Sequence, residues 1–182
     1  MSTFEFVSVL LSIVISLAIA HLLTGVAQAL KAKKVRFHWV LAGWWLFVFM
    51  LCVDYWFSVW RLRDQPVWTL GFVLTWLVLA AVTYIAAWLV VPDTDADGTM
   101  DFVAHAGANR RKYLGALVAW VAGGTVVNGY TPTMELANLL VPFFIVVFSA
   151  PIIWKHRLVQ IGALVLAYVG FIYYALNFIP EL

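Results

Sequence analysis

Charge is scarce in this sequence, and cysteine is nearly absent. Asp, Glu, Lys and Arg make up 11% of the 182 residues, against about 25% in an average soluble domain. That shortage excludes an ordinary cytosolic globule. A single cysteine, Cys52, excludes an intramolecular disulfide and a multi-cysteine metal site within one chain; it reads as a small buried apolar residue. The motifs that announce familiar chemistry are missing as well: HExxH, GxSxG, a phosphate-cradling glycine loop and paired cysteines. An enzyme is therefore the less favoured class. A net charge of +2 does not point to nucleic acid.

What fills the chain instead is apolar, 65% of it, with a mean hydropathy of +0.97. A hydrocarbon core ~30 Å thick takes roughly 20 apolar residues per helical pass, so the length allows about six passes and no separate soluble domain. Six apolar segments stand at about 4–30, 38–60, 67–92, 112–130, 134–154 and 158–179. The expected fold is a single all-α, polytopic integral membrane helix bundle over residues 1–182, with one long cytoplasmic loop at about 92–112. Ala27-Gln28-Ala29 resembles a small-residue cleavage site, but no basic residue precedes the first run and the run is too long, so it is read as retained.

The links between segments test this count. Lys31, Lys33, Lys34, Arg36, Arg110, Arg111, Lys112, Lys155 and Arg157 fall in or beside the first, third and fifth links, and only Arg61 and Arg63 lie on the opposite side. Because cytoplasmic links carry the excess of lysine and arginine, both termini are expected to be non-cytoplasmic. The expected location is the cell membrane, the inner membrane in a Gram-negative bacterium. Pro66 suits the start of the third helix, and Asn128-Gly129-Tyr130-Thr131-Pro132 is a turn signal after the fourth.

Tryptophan is abundant, with ten residues. Trp39, Trp56, Trp60, Trp68, Trp88 and Trp154 sit near segment ends, where amphipathic rings settle at headgroup level. Trp44, Trp45, Trp76 and Trp120 lie deeper, and three roles are open to them: filling the bundle, facing lipid or lining an apolar pocket.

Polar residues inside spans are costly and mark candidate sites. On the first helix Glu5, Ser8, Ser12 and Ser16 recur at helical spacing, and Ser8, Ser12, Ser16 and Ala20 form a small-xxx-small series that reads as a packing seam. Ser2-Thr3-Phe4-Glu5 matches a capping box, which competes with a role for Glu5 in binding or proton transfer. His21 lies off that stripe, and a hydrogen bond to a neighbouring helix competes there with proton relay. Asp54 is the principal candidate. It lies about five residues inside the second span, or ~8 Å at 1.5 Å per residue, with Ser58 and Arg61 on the same face. An ion pair with Arg61 and a carboxylate that binds a cation, proton or amine are the two readings. Asn128, Glu135, Asn138, Tyr174 and Asn177 fall at the same level of later helices, and Asp54 with Asn128, Glu135, Asn138 and Asn177 suggests a polar vestibule. Gly115, Ala119 and Gly123 form a second small-residue seam.

Asp93, Asp95, Asp97 and Gly98 match positions 1, 3, 5 and 6 of a calcium-binding loop, with Asp101 at position 9, but Ala104 stands where the bidentate glutamate is needed. A solvated acidic loop is the preferred reading, followed by a short surface helix from Asp101 to Lys112 ending on anionic headgroups. No metal or other cofactor is expected; a haem held by His21 and His38 is the alternative. The leading functional expectation is a small transporter or channel for an ion, proton or small solute, assembled as a homo-oligomer in the bilayer. The alternatives are a non-transporting subunit or assembly factor bound to another membrane protein, and a membrane-bound redox or lipid-modifying protein.

Overall fold

The computed structural model describes residues 2–128 and 140–178. Six α-helices dominate them: α1 Thr3–Lys31, α2 Trp39–Trp60, α3 Leu70–Val90, α4 Phe102–Asn128, α5 Val141–Ile153 and α6 Arg157–Phe178. Two three-residue strands, β1 Lys34–Arg36 and β2 Thr99–Asp101, accompany them. Four helices are long and apolar enough to cross a membrane: α1, α2 with its 3-10 extension to Asp64, α3, and α6. A membrane-helix bundle is the architecture that such helices suit, because a helix satisfies its own backbone in lipid. The fourth helix starts earlier than the apolar run expected to cross, and the first part of the expected fifth span lies outside the described residues. α4 has the length, but its first part carries His105, Asn109, Arg110, Arg111 and Lys112. The described part of α5 has 13 residues.

The helix starts follow local chemistry. Ser2 caps α1: its N–H donates to Glu5 Oε2 at 2.8 Å, and its hydroxyl accepts from the Glu5 N–H at 3.2 Å, the reciprocal capping box. His38 Nδ1 accepts from the Leu41 N–H at the head of α2. At α3 the cap is Thr69, which accepts from the Phe72 N–H. Pro66, expected at the start of this helix, precedes it by four residues. Asp101 Oδ1 accepts from the Val103 and Ala104 N–H groups, so α4 begins at Phe102. The surface helix expected before Lys112 is the first part of this one continuous helix.

The strands depart from the all-α expectation. Lys34, Val35 and Arg36 pair in parallel with Thr99, Met100 and Asp101, and Arg36 Nη1 reaches Asp101 Oδ2 at 2.8 Å. Asp95 and Gly98 close the turn before β2. Gly98 has φ +83°, a left-handed conformation that glycine adopts without a Cβ penalty. The pairing clasps the first link to the third, so both lie at one end of the bundle. Met100 is fully buried beneath it.

In the bundle, α2 is the most enclosed of the four helices long and apolar enough to cross a membrane and packs against α1, α3 and α6. α4 bridges α3 and α5, and α5 leads to α6. The stripe of α1 that faces the core is Val7, Leu11, Ile15, Ala18, Leu22 and Gly25, spaced three or four apart as a helix face requires. The serine series lies beside this stripe: Ser8 and Ser12 are half-buried, and Ser16 and Ala20 are exposed. Of the two glycines in the second seam, a Cβ on Gly123 would meet Leu79, and one on Gly115 would meet nothing within 4 Å.

Candidate functional site

The spacing of α2 turns Phe47, Leu51, Asp54, Tyr55 and Ser58 toward one side, where they form a wall of a cavity of about 100 Å³. Trp76 and Leu79 of α3, Trp120, Val121, Gly124 and Val127 of α4, the first turns of α5, and Phe171 and Tyr174 of α6 close it. Five helices thus contribute, and α1 is not among them. At ~10–15 Å³ per water-sized position, the space takes several small atoms.

Asp54 is 3% exposed, and its Oδ1 has no hydrogen-bond partner among the described residues. The same holds for the indole nitrogens of Trp76 and Trp120, which line the same cavity. One acceptor and two donors are therefore buried around a common space, unpartnered among the described residues. Such groups are expensive in an apolar interior unless something hydrogen-bonds to them. The remaining wall is largely aromatic: Phe47, Phe148 and Phe171 meet edge to face at centroid distances of 5.7 and 5.8 Å. The hydroxyl of Tyr55 is directed away, donating to the Trp76 carbonyl oxygen at 2.7 Å.

No ion pair joins Asp54 to Arg61 among the described residues. Arg61 Nη2 donates to the Tyr174 hydroxyl at 3.4 Å, at the rim of the cavity, and Arg61 acts on Asp54 electrostatically without contact. Asn177 Nδ2 donates to the Tyr173 carbonyl oxygen on its own helix and is exposed, so it does not join Asp54. The side chain of Asn128, with Glu135 and Asn138, lies outside the described residues. Glu5 is engaged in the α1 cap.

His21 and His38 do not line the cavity. His21 stacks on Trp88, centroids 4.1 Å apart, with Nε2 unpartnered among the described residues, and His38 caps α2. Two aspartates of the acidic loop, Asp97 and Asp101, are committed to local structure by their side chains. Asp97 accepts from the Thr99 N–H and hydroxyl, bonds that hold its carboxyl below the usual range. Asp101 is held low chiefly by the Ala104 N–H, with Arg36 adding to the effect. Among the described residues no three His, Cys, Asp or Glu side chains are grouped to hold a metal ion.

The deep tryptophans divide by role. Trp44 fills the core, Trp45 is buried in it and borders a second, apolar hollow, and Trp76 and Trp120 line the Asp54 cavity. Tyr55 and Gly124 are cavity residues with no signal of their own in the sequence: Tyr55 is one aromatic residue among many, and Gly124 adjoins the seam glycine Gly123. A search of family models, curated proteins and solved structures finds no match to this chain.

Proposed function

We propose that this chain is a small membrane transporter or channel that takes an ion, proton or small polar solute into the Asp54 cavity. The observation that carries the reading is the buried carboxyl whose Oδ1 has no partner among the described residues, beside two indole N–H groups in the same state. A ligand with a donor for Asp54 and an acceptor for the indoles satisfies all three. An intramembrane carboxylate facing a cavity also suits a solute or proton pathway. The proposed topology is six passes with both termini outside, supported by the nine-to-two division of basic residues under the positive-inside rule. The proposed assembly is a homo-oligomer, for which exposed Ser16 and Ala20 on α1 offer a close-packing surface.

The test is solute and proton flux in proteoliposomes, with wild type beside Asp54→Asn. Flux above that of empty vesicles in wild type, falling at least tenfold in the variant, supports the proposal. Equal leak in wild type, variant and empty vesicles across ions and small solutes overturns it and favours the subunit reading.

A further inference from the structure

A second hollow lies away from Asp54, between the C-terminal half of α1 and the first turns of α2. It encloses about 410 Å³ and is lined solely by apolar side chains, among them Leu22, Val26 and Leu30 of α1, Phe37, and Trp45 and Leu46 of α2. Its volume falls within the roughly 300–1,000 Å³ of ordinary ligand pockets. Along α1 it runs from Leu22 to Leu30, ~12 Å at 1.5 Å per residue. Trp45 and Phe102, which both line it, are stacked at 5.9 Å.

The charge beside it is what identifies an occupant. Two of its lining residues, Leu30 and Phe37, bracket the first link, and that link carries Lys31, Lys33, Lys34 and Arg36, all exposed. Arg36 is taken up by Asp101, and Lys34 lies within the electrostatic reach of Asp97. Lys31 and Lys33 form no ion pair among the described residues. An apolar slot whose Leu30 and Phe37 flank a link with exposed lysines complements an amphiphile with an anionic head. We propose that this groove binds an anionic membrane phospholipid, one acyl chain along α1 over Trp45 and the phosphate at the lysines of the first link. A lysine near the membrane surface attracts anionic lipid by about 1 kcal/mol, close to a fivefold preference for each lysine engaged. The site is independent of the Asp54 cavity and of any transport activity.

Native mass spectrometry of the detergent-purified full chain, titrated with phosphatidylglycerol and with phosphatidylcholine bearing the same acyl chains, tests the proposal. Wild type is expected to retain phosphatidylglycerol roughly fivefold or more over phosphatidylcholine. Lys31→Gln, Lys33→Gln and Lys34→Gln together should equalise the two lipids, and Ala42→Phe, which fills the groove, should reduce retention of both. Equal retention of the two lipids by wild type overturns the proposal. So does a preference that survives the triple substitution, or unchanged retention in a monodisperse Ala42→Phe protein. The triple substitution lies on exposed side chains, so its outcome does not depend on the core tolerating a larger residue.

Discussion

The hydroxyl of Tyr55 donates to the carbonyl oxygen of Trp76 at 2.7 Å, and their rings meet edge to face at 5.7 Å. This bond ties α2 to α3 beside Asp54 and fixes one wall of the cavity. Tyr55→Phe keeps the ring contact and removes only the bond. A loss of about 1 kcal/mol is expected, since a typical internal hydrogen bond contributes ~0.5–1.5 kcal/mol. Denaturant unfolding in detergent micelles measures it, and a loss of less than a few tenths of a kcal/mol would show that the bond is not made in the folded protein.

Asp54 should weigh against stability while serving the proposed transport. Its Oδ1 is buried with no partner among the described residues, a state that costs roughly 1–3 kcal/mol per group. Asp54→Leu should therefore unfold at the same or a higher temperature than wild type while abolishing flux. A large drop in melting temperature would instead assign the carboxyl a structural role, through a bond absent from this arrangement.

Acid should loosen the clasp between the first and third links. Asp97 and Asp101 are held below the usual carboxylate range by the hydrogen bonds they accept, so the folded clasp binds fewer protons than the unfolded loop. The stability they contribute is fully present above the unfolded value of about 3.9 and is lost as pH falls through their folded values. Amide hydrogen exchange at Val35 and Met100, corrected for intrinsic rates, should show protection that holds from neutral pH to about pH 5 and declines below it. Protection unchanged to pH 2 would count against this account.

Two glycines of the bundle should respond in opposite ways to the same change. A Cβ on Gly25 would stand 2.7 Å from Trp45 Cζ2 and 2.6 Å from Val91 Cγ1, and Trp45 is buried against Phe102. Gly25→Ala should therefore destabilise by about 1–3 kcal/mol, the usual penalty of overpacking. At Gly115 a Cβ meets nothing within 4 Å, and alanine is favoured over glycine in a helix by ~1 kcal/mol. Gly115→Ala should be neutral or stabilising. Thermal unfolding of the two variants in parallel checks the pair, and equal shifts would contradict the packing described.

Much of the helical plan was legible, because length and apolar content alone mark a run as a candidate span. Segments expected at 4–30, 38–60 and 158–179 appear as Thr3–Lys31, Trp39–Trp60 and Arg157–Phe178. The capping box at Ser2 and Glu5 could be read from four residues, since the chemistry is local. α4 was harder: its first turns are polar and resemble a loop, yet Asp101 starts the helix there and the chain has no reason to stop before the apolar part. The β1–β2 clasp had no signal, because three residues are too few to show an alternation and their partners lie 65 positions away.

By itself the sequence determined that the chain is helical with runs apolar enough to cross a membrane, and the approximate position of its helices. It also marked Asp54 as the costly residue, because charge within an apolar run stands out wherever the chain folds. Only the tertiary structure decided which side of each helix faces inward. In water a buried face is apolar and an exposed one polar, but in lipid both are apolar, so Leu11 and Ile15 in the core cannot be told by type from exposed Ile13 and Leu17. For the same reason the structure alone turned the serine series of α1 away from the cavity. It alone brought Asp54, Trp76 and Trp120, from three separate helices, around one space.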